Sequence, residues 1–317
     1  MRLRPGRPVV VAGGINADLL ARSLGPLTPG TSNPATLQLT PGGVARNVAE
    51  NLARLGTPVR LLGAVGQDAL GDSVLEASAR AGVDVSLVLR RPGVTGSYLA
   101  VLDPAGELHL GLAAMGLTEG LDLPLPSDWL KAVHGAGLLV LDANLPLPVL
   151  LALLDAARGA GVPTLLEPVS APKAARWQPE ALRGGLRGTF LITPDRAELA
   201  ALSGLPAGSE GEVARAAAVL HDWGVEKVLL TLGADGCLLL RPSSPPLHFP
   251  AYRVAVQDVT GAGDALLAGV VAALSRGYTL EEAARLGQAC AALTVQSPFT
   301  VRPDLSWDAL HAVIGEP

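Results

Sequence analysis

The chain has 317 residues, 49% hydrophobic, 17% charged and 3% aromatic, with 24 Lys and Arg against 29 Asp and Glu for a net charge of -5. At roughly 100–200 residues per domain, that length allows one large α/β domain or two smaller ones, either with a sizeable core. The mild acidic balance, with no Lys/Arg-rich run, argues against non-specific binding to nucleic acid or to an anionic membrane.

Cys237 and Cys290 are the two cysteines, and no CxxC or HExxH pairing accompanies the five histidines. A disulfide framework and structural zinc are therefore not expected, and a reduced, cytoplasmic setting fits. The apolar run after the basic N-terminus is interrupted by Asn16 and Asp18, too early for a secretory leader. No stretch of about 18 apolar residues exists to span a membrane. The 37 glycines and 26 prolines carry no short period, and they read as many tight turns.

In chain order, a first strand over Pro8–Ala12 runs into GGINADLL, and a second extended segment covers Thr31–Leu39. A helix over Val44–Leu55, a strand over Arg60–Val65 and a helix over Gly71–Ala81 follow. Gly96–Leu112 reads as a β-hairpin around a DPAG turn. Strands over Leu138–Leu141, Thr164–Glu167, Phe190–Ile192, Lys227–Leu232 and Cys237–Leu240 then alternate with helices over Pro148–Gly159 and Gly211–Trp223. Two long helices, Ala262–Ser275 and Leu280–Val295, end the pattern. Strands apolar throughout are those covered on both faces, so the pattern is that of an α/β fold with a mostly parallel sheet. Residues 31–39 and 96–112 fit no βα unit. They form either a small sheet standing off the main domain, usable as a lid, or an extension of the main sheet at one edge.

The sharpest local signal is QDVTGAGDALLAGVVAAL, Gln257 to Leu274, where Gly261-Ala262-Gly263 opens an apolar helix. A helix N-terminus of small residues lets backbone N–H groups converge on an anion, phosphate above all. It is not a Walker A loop, because no GxxxxGK[ST] occurs in the chain. Asp264, one turn in, is either a helix cap or a general base beside the anion site.

DVTGAGDALLAG resembles the C-terminal signature of the ribokinase-like (PfkB) carbohydrate and nucleoside kinases. PGGVARNVAENLARLG, residues 41–56, is similar to their Gly-Gly sugar-binding motif, with Gly42, Gly43 and Asn47 in the matching places. Asn16 and Asp18 match an Asn-x-Asp that holds sugar hydroxyls. By themselves the two residues would also suit an Asx turn. The resemblance implies a three-layer α/β/α sandwich with a mostly parallel central sheet and a small β-sheet lid, built as a single domain over residues 1–317. It also implies ATP and Mg²⁺, and K⁺ in some members.

TPDRAEL, Thr193–Leu199, resembles the family's Asn-x-x-Glu element, which arranges water around Mg²⁺; Asp195 replaces the Asn and Glu198 is kept. TLGADG resembles the nucleotide-binding turn, with Thr231, Gly233 and Gly236, although it would also pass for a hairpin turn. Asp258 and Thr260 match positions that hold a monovalent cation in the family. Within it, GGVARNVAENLARLG, LDANLP and LLEPVSAPKA resemble the pseudouridine kinases more than ribokinases, fructokinases or adenosine kinases. On that resemblance Glu167 reaches the metal's water shell, and Asp142 and Asn144 face the cleft. Lys173 either contacts substrate or phosphates or is a solvated loop lysine. Where relatives carry an acidic or amide residue before Met115, this chain has Ala114.

The expected activity is transfer of the ATP γ-phosphoryl group to the ribose 5′-hydroxyl of pseudouridine. A kinase for another nucleoside or for ribose or fructose comes next, and then a non-catalytic sugar- or nucleotide-binding protein on the same fold. A dinucleotide oxidoreductase is disfavoured because Gly13-Gly14 lacks GxGxxG spacing. Exposed edges on the lid lead to the expectation of a homodimer.

Overall fold

A computed structural model describes residues 6–177 and 185–315; the basic start of the chain, residues 1–5, lies outside them. Among the described residues the first eight strands are β1 (Val9–Ala12), β2 (Asn16–Ser23), β3 (Ala35–Gly42), β4 (Val59–Leu62), β5 (Ala64–Gly66), β6 (Leu89–Arg91), β7 (Ser97–Leu102) and β8 (Leu108–Ala114). The remaining six are β9 (Leu138–Asp142), β10 (Thr164–Glu167), β11 (Thr189–Ile192), β12 (Lys227–Thr231), β13 (Cys237–Leu240) and β14 (Leu247–Phe249).

The main sheet runs β14-β13-β12-β11-β10-β9-β1-β4. It is parallel from β4 to β12, and β13 and β14 are added antiparallel at one edge. Side chains alternate between its faces. Val9, Val11, Leu138 and Val140 enter one core with the helices Val44–Arg54, Ala262–Ser275 and Leu280–Thr294. Val10, Ala12, Leu139 and Leu141 enter the other, against Ser127–Gly135, Leu147–Ala160, Arg196–Ser203 and Glu210–Asp222. Helices on both faces explain why the middles of these short strands are mostly apolar, with Asp142, Thr164, Glu167, Thr189, Lys227 and Thr231 all at strand ends. Among the described residues no helix is long and apolar enough to cross a membrane. Both cysteines are free and buried.

A second, separate sheet has the order β3-β2-β7-β8, so the alternative of an extended main-sheet edge does not hold. Its make-up corrects three expectations. The strand expected at 31–39 lies at Ala35–Gly42 and leads directly into the helix at Val44. The hairpin at 96–112 forms, but its second strand runs on to Ala114. Asn16 and Asp18, expected at the C-terminal end of the first strand, instead lie in the first residues of a strand of their own, β2, which pairs along its whole length with β3, so the Asx-turn alternative does not hold. The single strand expected over 60–65 is broken at Gly63. Leu62 stays beside β1, whereas Ala64–Gly66 pairs with Leu89–Arg91.

The helix Ala262–Ser275 is fixed from behind by Leu280–Thr294. A Cβ on Gly269 would lie 2.8 Å from the Gly287 Cα and 2.9 Å from the Cys290 Cβ. The two backbones approach this closely because neither position carries a side chain. Gly269→Val should therefore lower the urea unfolding free energy by about 1–3 kcal/mol, the usual cost of overpacking, with an unchanged m-value. An unaltered midpoint would contradict the packing.

Candidate functional site

The parallel strands deliver their C-terminal ends to one edge of the sheet, where open α/β folds bind ligands. The residues at that edge divide between two cavities. The smaller, about 240 Å³, is lined by Val44, Glu167, Val169, Thr193, Asp195, Glu198, Thr231, Gly261, Gly263 and Asp264. Glu167 comes from the end of β10, Thr193 from just beyond β11 and Thr231 from the end of β12. The N-cap of the helix Ala262–Ser275 is Gly261, at φ 80, and no side chain caps this end. A Cβ there would lie 2.2 Å from the Thr300 carbonyl oxygen, so the turn requires glycine on both counts.

Among the described residues, no Lys or Arg is in the lining of this cavity. Burial pushes Asp264 up to about 7, against the opposing hydrogen bond from Asn47. Burial likewise pushes Glu198 up to about 7, and Glu167 is raised well above the usual range by burial and by the charge of Glu198. Glu167 accepts a short hydrogen bond from the Thr193 hydroxyl. Asp195 and Glu198 form a capping box on the helix Arg196–Ser203. The Glu198 N–H donates to the Asp195 carboxylate at 2.7 Å, and the Asp195 N–H to that of Glu198 at 2.8 Å. Val169, in the EPVS segment, holds a left-handed backbone at φ 73, which is rare for a β-branched residue.

The larger cavity, about 740 Å³, lies beneath the small sheet. Asp18, Gln38, Thr40, Tyr98 and Leu102 line it from the strands, Arg46, Glu50 and Arg54 from the helix Val44–Arg54, and Asp258, Thr260 and Phe299 from the loops. Asp18 lies over Gly42, and burial pushes its carboxyl up to about 6 while the nearby Arg46 charge opposes the rise. Gly43, at φ 95, caps the helix, and a Cβ there would lie 2.4 Å from the Gly14 carbonyl oxygen. Asn16 is 6% exposed, and its buried Oδ1 has no hydrogen-bond partner in the protein.

Asn47 lines neither cavity but connects residues that do. Its Nδ2 donates to Asp264 Oδ2 at 2.7 Å, linking the helix Val44–Arg54 to the helix that carries the anion end. Asp264 thus faces the smaller cavity while held by the helix Val44–Arg54, which contributes to the lining of the larger one.

Residues 7–307 match the profile described as pfkB family carbohydrate kinase. The chain belongs to that family. It is 34% identical to pseudouridine kinase of Escherichia coli K12 over 299 residues, 94% of this chain and 93% of that protein. Among solved structures it is similar to Arabidopsis thaliana ribokinase complexed with ribose and ATP, with a TM-score of 0.88 and 27% identity, covering 98% and 99% of the two chains. A carbohydrate kinase from Agrobacterium tumefaciens matches with a TM-score of 0.81 and 33% identity, covering 98% and 97%. The fold is therefore ribokinase-like, and the chain is a kinase whose acceptor is an alcohol and for which the family implies ATP as donor.

In this pfkB kinase the expected site residues do not all stand where ligand roles would put them. Asp142 is 1% exposed, and its two oxygens accept from the Gly14, Ala45 and Asn144 N–H groups at 2.9, 2.9 and 2.8 Å. It ties backbone together instead of facing an open cleft. Gly233 and Gly236, in the turn between β12 and β13, lie outside the linings of both cavities, as do Asn16, Gly42, Gly43 and Asn47, whereas Thr231 lines the smaller cavity and Asp18 the larger. Lys173, on the short helix Ala171–Ala174, is half-buried and donates to Asn144 Oδ1 in a short hydrogen bond, so it is not a solvated loop lysine. Asp258 and Thr260 are exposed, and Asp258 accepts from the Thr260 N–H at 2.8 Å. Arg46, inside the motif but not singled out there, is 2% exposed beside Asp18, Glu50 and Asp264.

Asp264 serves as a base only when ionised, and its raised pKa places that ionisation near pH 7. The acid limb of kcat/KM should therefore rise with pH through about 7 and level off above it. Asp264→Asn should lower kcat by a factor on the order of 10²–10⁴ with acceptor affinity little changed. Near-normal turnover in that variant would remove the base assignment.

Proposed function

We propose that the chain phosphorylates the ribose 5′-hydroxyl of pseudouridine at the expense of ATP. The observation that carries the kinase chemistry is the position of Asp264, on the wall of the phosphate-sized cavity and hydrogen-bonded to Asn47 of the acceptor side. The substrate reading is supported by the 34% identity to pseudouridine kinase over nearly the whole chain. An acceptor cavity of about 740 Å³, with room for a base as well as a sugar, supports it too.

In this reading the γ-phosphate of ATP lies at the Gly261-Ala262-Gly263 turn, where the helix N-terminus favours negative charge. Asn16, Asp18, Gly42, Gly43 and Asn47 hold the sugar. The unpartnered Asn16 Oδ1 supports this, because a buried acceptor without a donor costs about 1–3 kcal/mol that a sugar hydroxyl would offset. Asp264 takes the proton of the 5′-hydroxyl as its oxygen bonds to the γ-phosphorus. The bond from that phosphorus to the bridging oxygen breaks and ADP leaves.

Among the described residues no three Asp, Glu, His or Cys side chains could together hold a metal ion. Carboxylates spaced around a cavity do suit Mg²⁺, which keeps most of its waters. Glu167 and Glu198, with Asp195, would hold those waters, and the ion would offset charge on the phosphates. Asp258 and Thr260 are kept as ligands for a monovalent cation such as K⁺. Lys173 and Asn144, which are hydrogen-bonded to each other, are kept as substrate contacts, although neither lines the larger cavity.

The small sheet acts as the lid. On the face of the sheet opposite Asp18, Thr40 and Tyr98, Leu39, Leu19, Leu99 and Leu112 form one continuous cross-strand row, and Leu37 and Leu110 flank it. Leu37, Leu39, Leu110 and Leu112 are 66, 46, 48 and 52% exposed. An aliphatic face of this kind is suited to cover a second copy of itself, giving a homodimer. Leu110→Asp with Leu112→Asp should convert a dimer to a monomer in light scattering, and a wild-type monomer at micromolar concentration would contradict the dimer.

The substrate is tested by ADP release with Mg-ATP and potassium, comparing pseudouridine, uridine, adenosine, ribose and fructose. Pseudouridine should give the highest kcat/KM by at least about tenfold. Preference for ribose, which the similarity to ribokinase favours, would keep Asp264 and discard the nucleoside; no turnover with any acceptor would favour a binding protein.

A further inference from the structure

The helix Val44–Arg54 carries an arginine whose two terminal nitrogens serve different partners. One pairs with the Glu50 carboxylate, a turn further along the helix. The other donates to Oδ1 of Asn47. Glu50 is held in turn by Arg54, whose Nε donates to it at 2.9 Å, and Arg54 donates also to the Pro303 carbonyl at 2.5 Å. The row is therefore anchored at its outer end to the loop beside the acceptor cavity.

An amide has one accepting end and one donating end. Asn47 stands between a guanidinium, which can only donate, and the Asp264 carboxylate, which when ionised can only accept. Only one orientation satisfies both neighbours, with Oδ1 toward Arg46 and Nδ2 toward Asp264. Without Arg46 nothing among the recorded contacts of Asn47 Oδ1 would hold that end, and the amide would be free to turn. In the turned orientation its oxygen would face the Asp264 carboxylate and repel it. In the observed orientation Nδ2 has two hydrogens, of which Asp264 uses one, leaving the second for the acceptor's oxygen.

We propose that Arg46 is a positioning residue for phosphoryl transfer, fixing the Asn47 amide so that its nitrogen fixes the Asp264 carboxylate against the acceptor hydroxyl. The proposal rests on the assignment of Asp264 as the base. A lysine cannot take this place, because one ammonium on a flexible stem lacks the planar fork that divides between Glu50 and Asn47.

The test is a double-mutant cycle on the full chain with its best acceptor at saturating Mg-ATP. Arg46→Lys keeps the charge and loses the fork. It should lower kcat by roughly 10–100-fold, the cost of a misplaced catalytic group, with the KM for ATP within about twofold of wild type. Asn47→Ala should lower kcat by a similar factor. In the Asn47→Ala background the Arg46→Lys change should then cost less than about threefold, because its target has gone.

Since a buried Glu50 left alone is itself destabilising, Arg46→Met is made together with Glu50→Met. That pair should unfold near the wild-type temperature and still show the kcat loss. Additive losses in the cycle, or normal kcat in the Met pair, would overturn the proposal. Near-normal turnover in Asp264→Asn would sink the base assignment instead. An inactive Asp264→Asn with additive Arg46 and Asn47 effects would leave that assignment standing and remove Arg46 alone.

Discussion

One buried carboxylate holds the acceptor half of this kinase together. Asp142 ends β9 and accepts from the backbone of three separate segments, the loop after β1, the first turn of the helix Val44–Arg54 and its own following loop. Hydrogen bonds to a charged group contribute about 1.5–3 kcal/mol each, and a helix N-terminus adds its own preference for negative charge. Gly13, Gly43 and the start of the small sheet are thereby set relative to the central strands. Burial raises the Asp142 pKa even so, since desolvation is the largest influence on it. This carboxylate thereby fixes the backbone at Gly14 and just after the Gly42-Gly43 turn.

From that joint the site divides by charge. The helix Ala262–Ser275 offers an uncapped N-terminus to an anion, and Glu167, Glu198 and Asp264 surround the same space with negative charge. The two features conflict unless a cation stands between them; burial raises all three carboxyls, and for Glu167 the charges of Glu198 and Asp264 add to the rise. On the other side of Asp264 the protein supplies a cation of its own, because Arg46 lies among Asp18, Glu50 and Asp264. Among the described residues, the smaller cavity has no such guanidinium in its lining.

What the sequence discloses follows from how local each requirement is. Gly261, Gly43 and Asp264 are legible because a turn and a helix start impose their demands within a few residues. Most helix limits emerge to within a residue or two for the same reason, and the Asp-x-x-Glu of the capping box at Asp195 was there to be read as well. Strand β2 escapes notice because NADLLARS opens on two turn-formers, and its pairing with β3 and β7 is invisible until those strands are placed. Arg46, Glu50 and Arg54 recur every four residues, the pattern of a solvated helix face. The small sheet above them is what buries Arg46, so its part in the site belongs to tertiary structure. Asp142 misleads in the opposite direction, since a carboxylate at a strand end suggests a ligand and here its partners are backbone.

Only three residues separate the end of β1 from Asn16, and Ile15 among them is wholly buried. The small sheet is thus a lever with its fulcrum beside the site. At about 3.3 Å per residue, a tilt of about 10° at Ile15 swings the far end of β2 by roughly 4–5 Å but Asp18 by only about 1–2 Å. On the proposed function, access to the cleft and the grip on the sugar would thereby be separated by leverage. The outer end would open to admit an acceptor while Asp18 barely left its station.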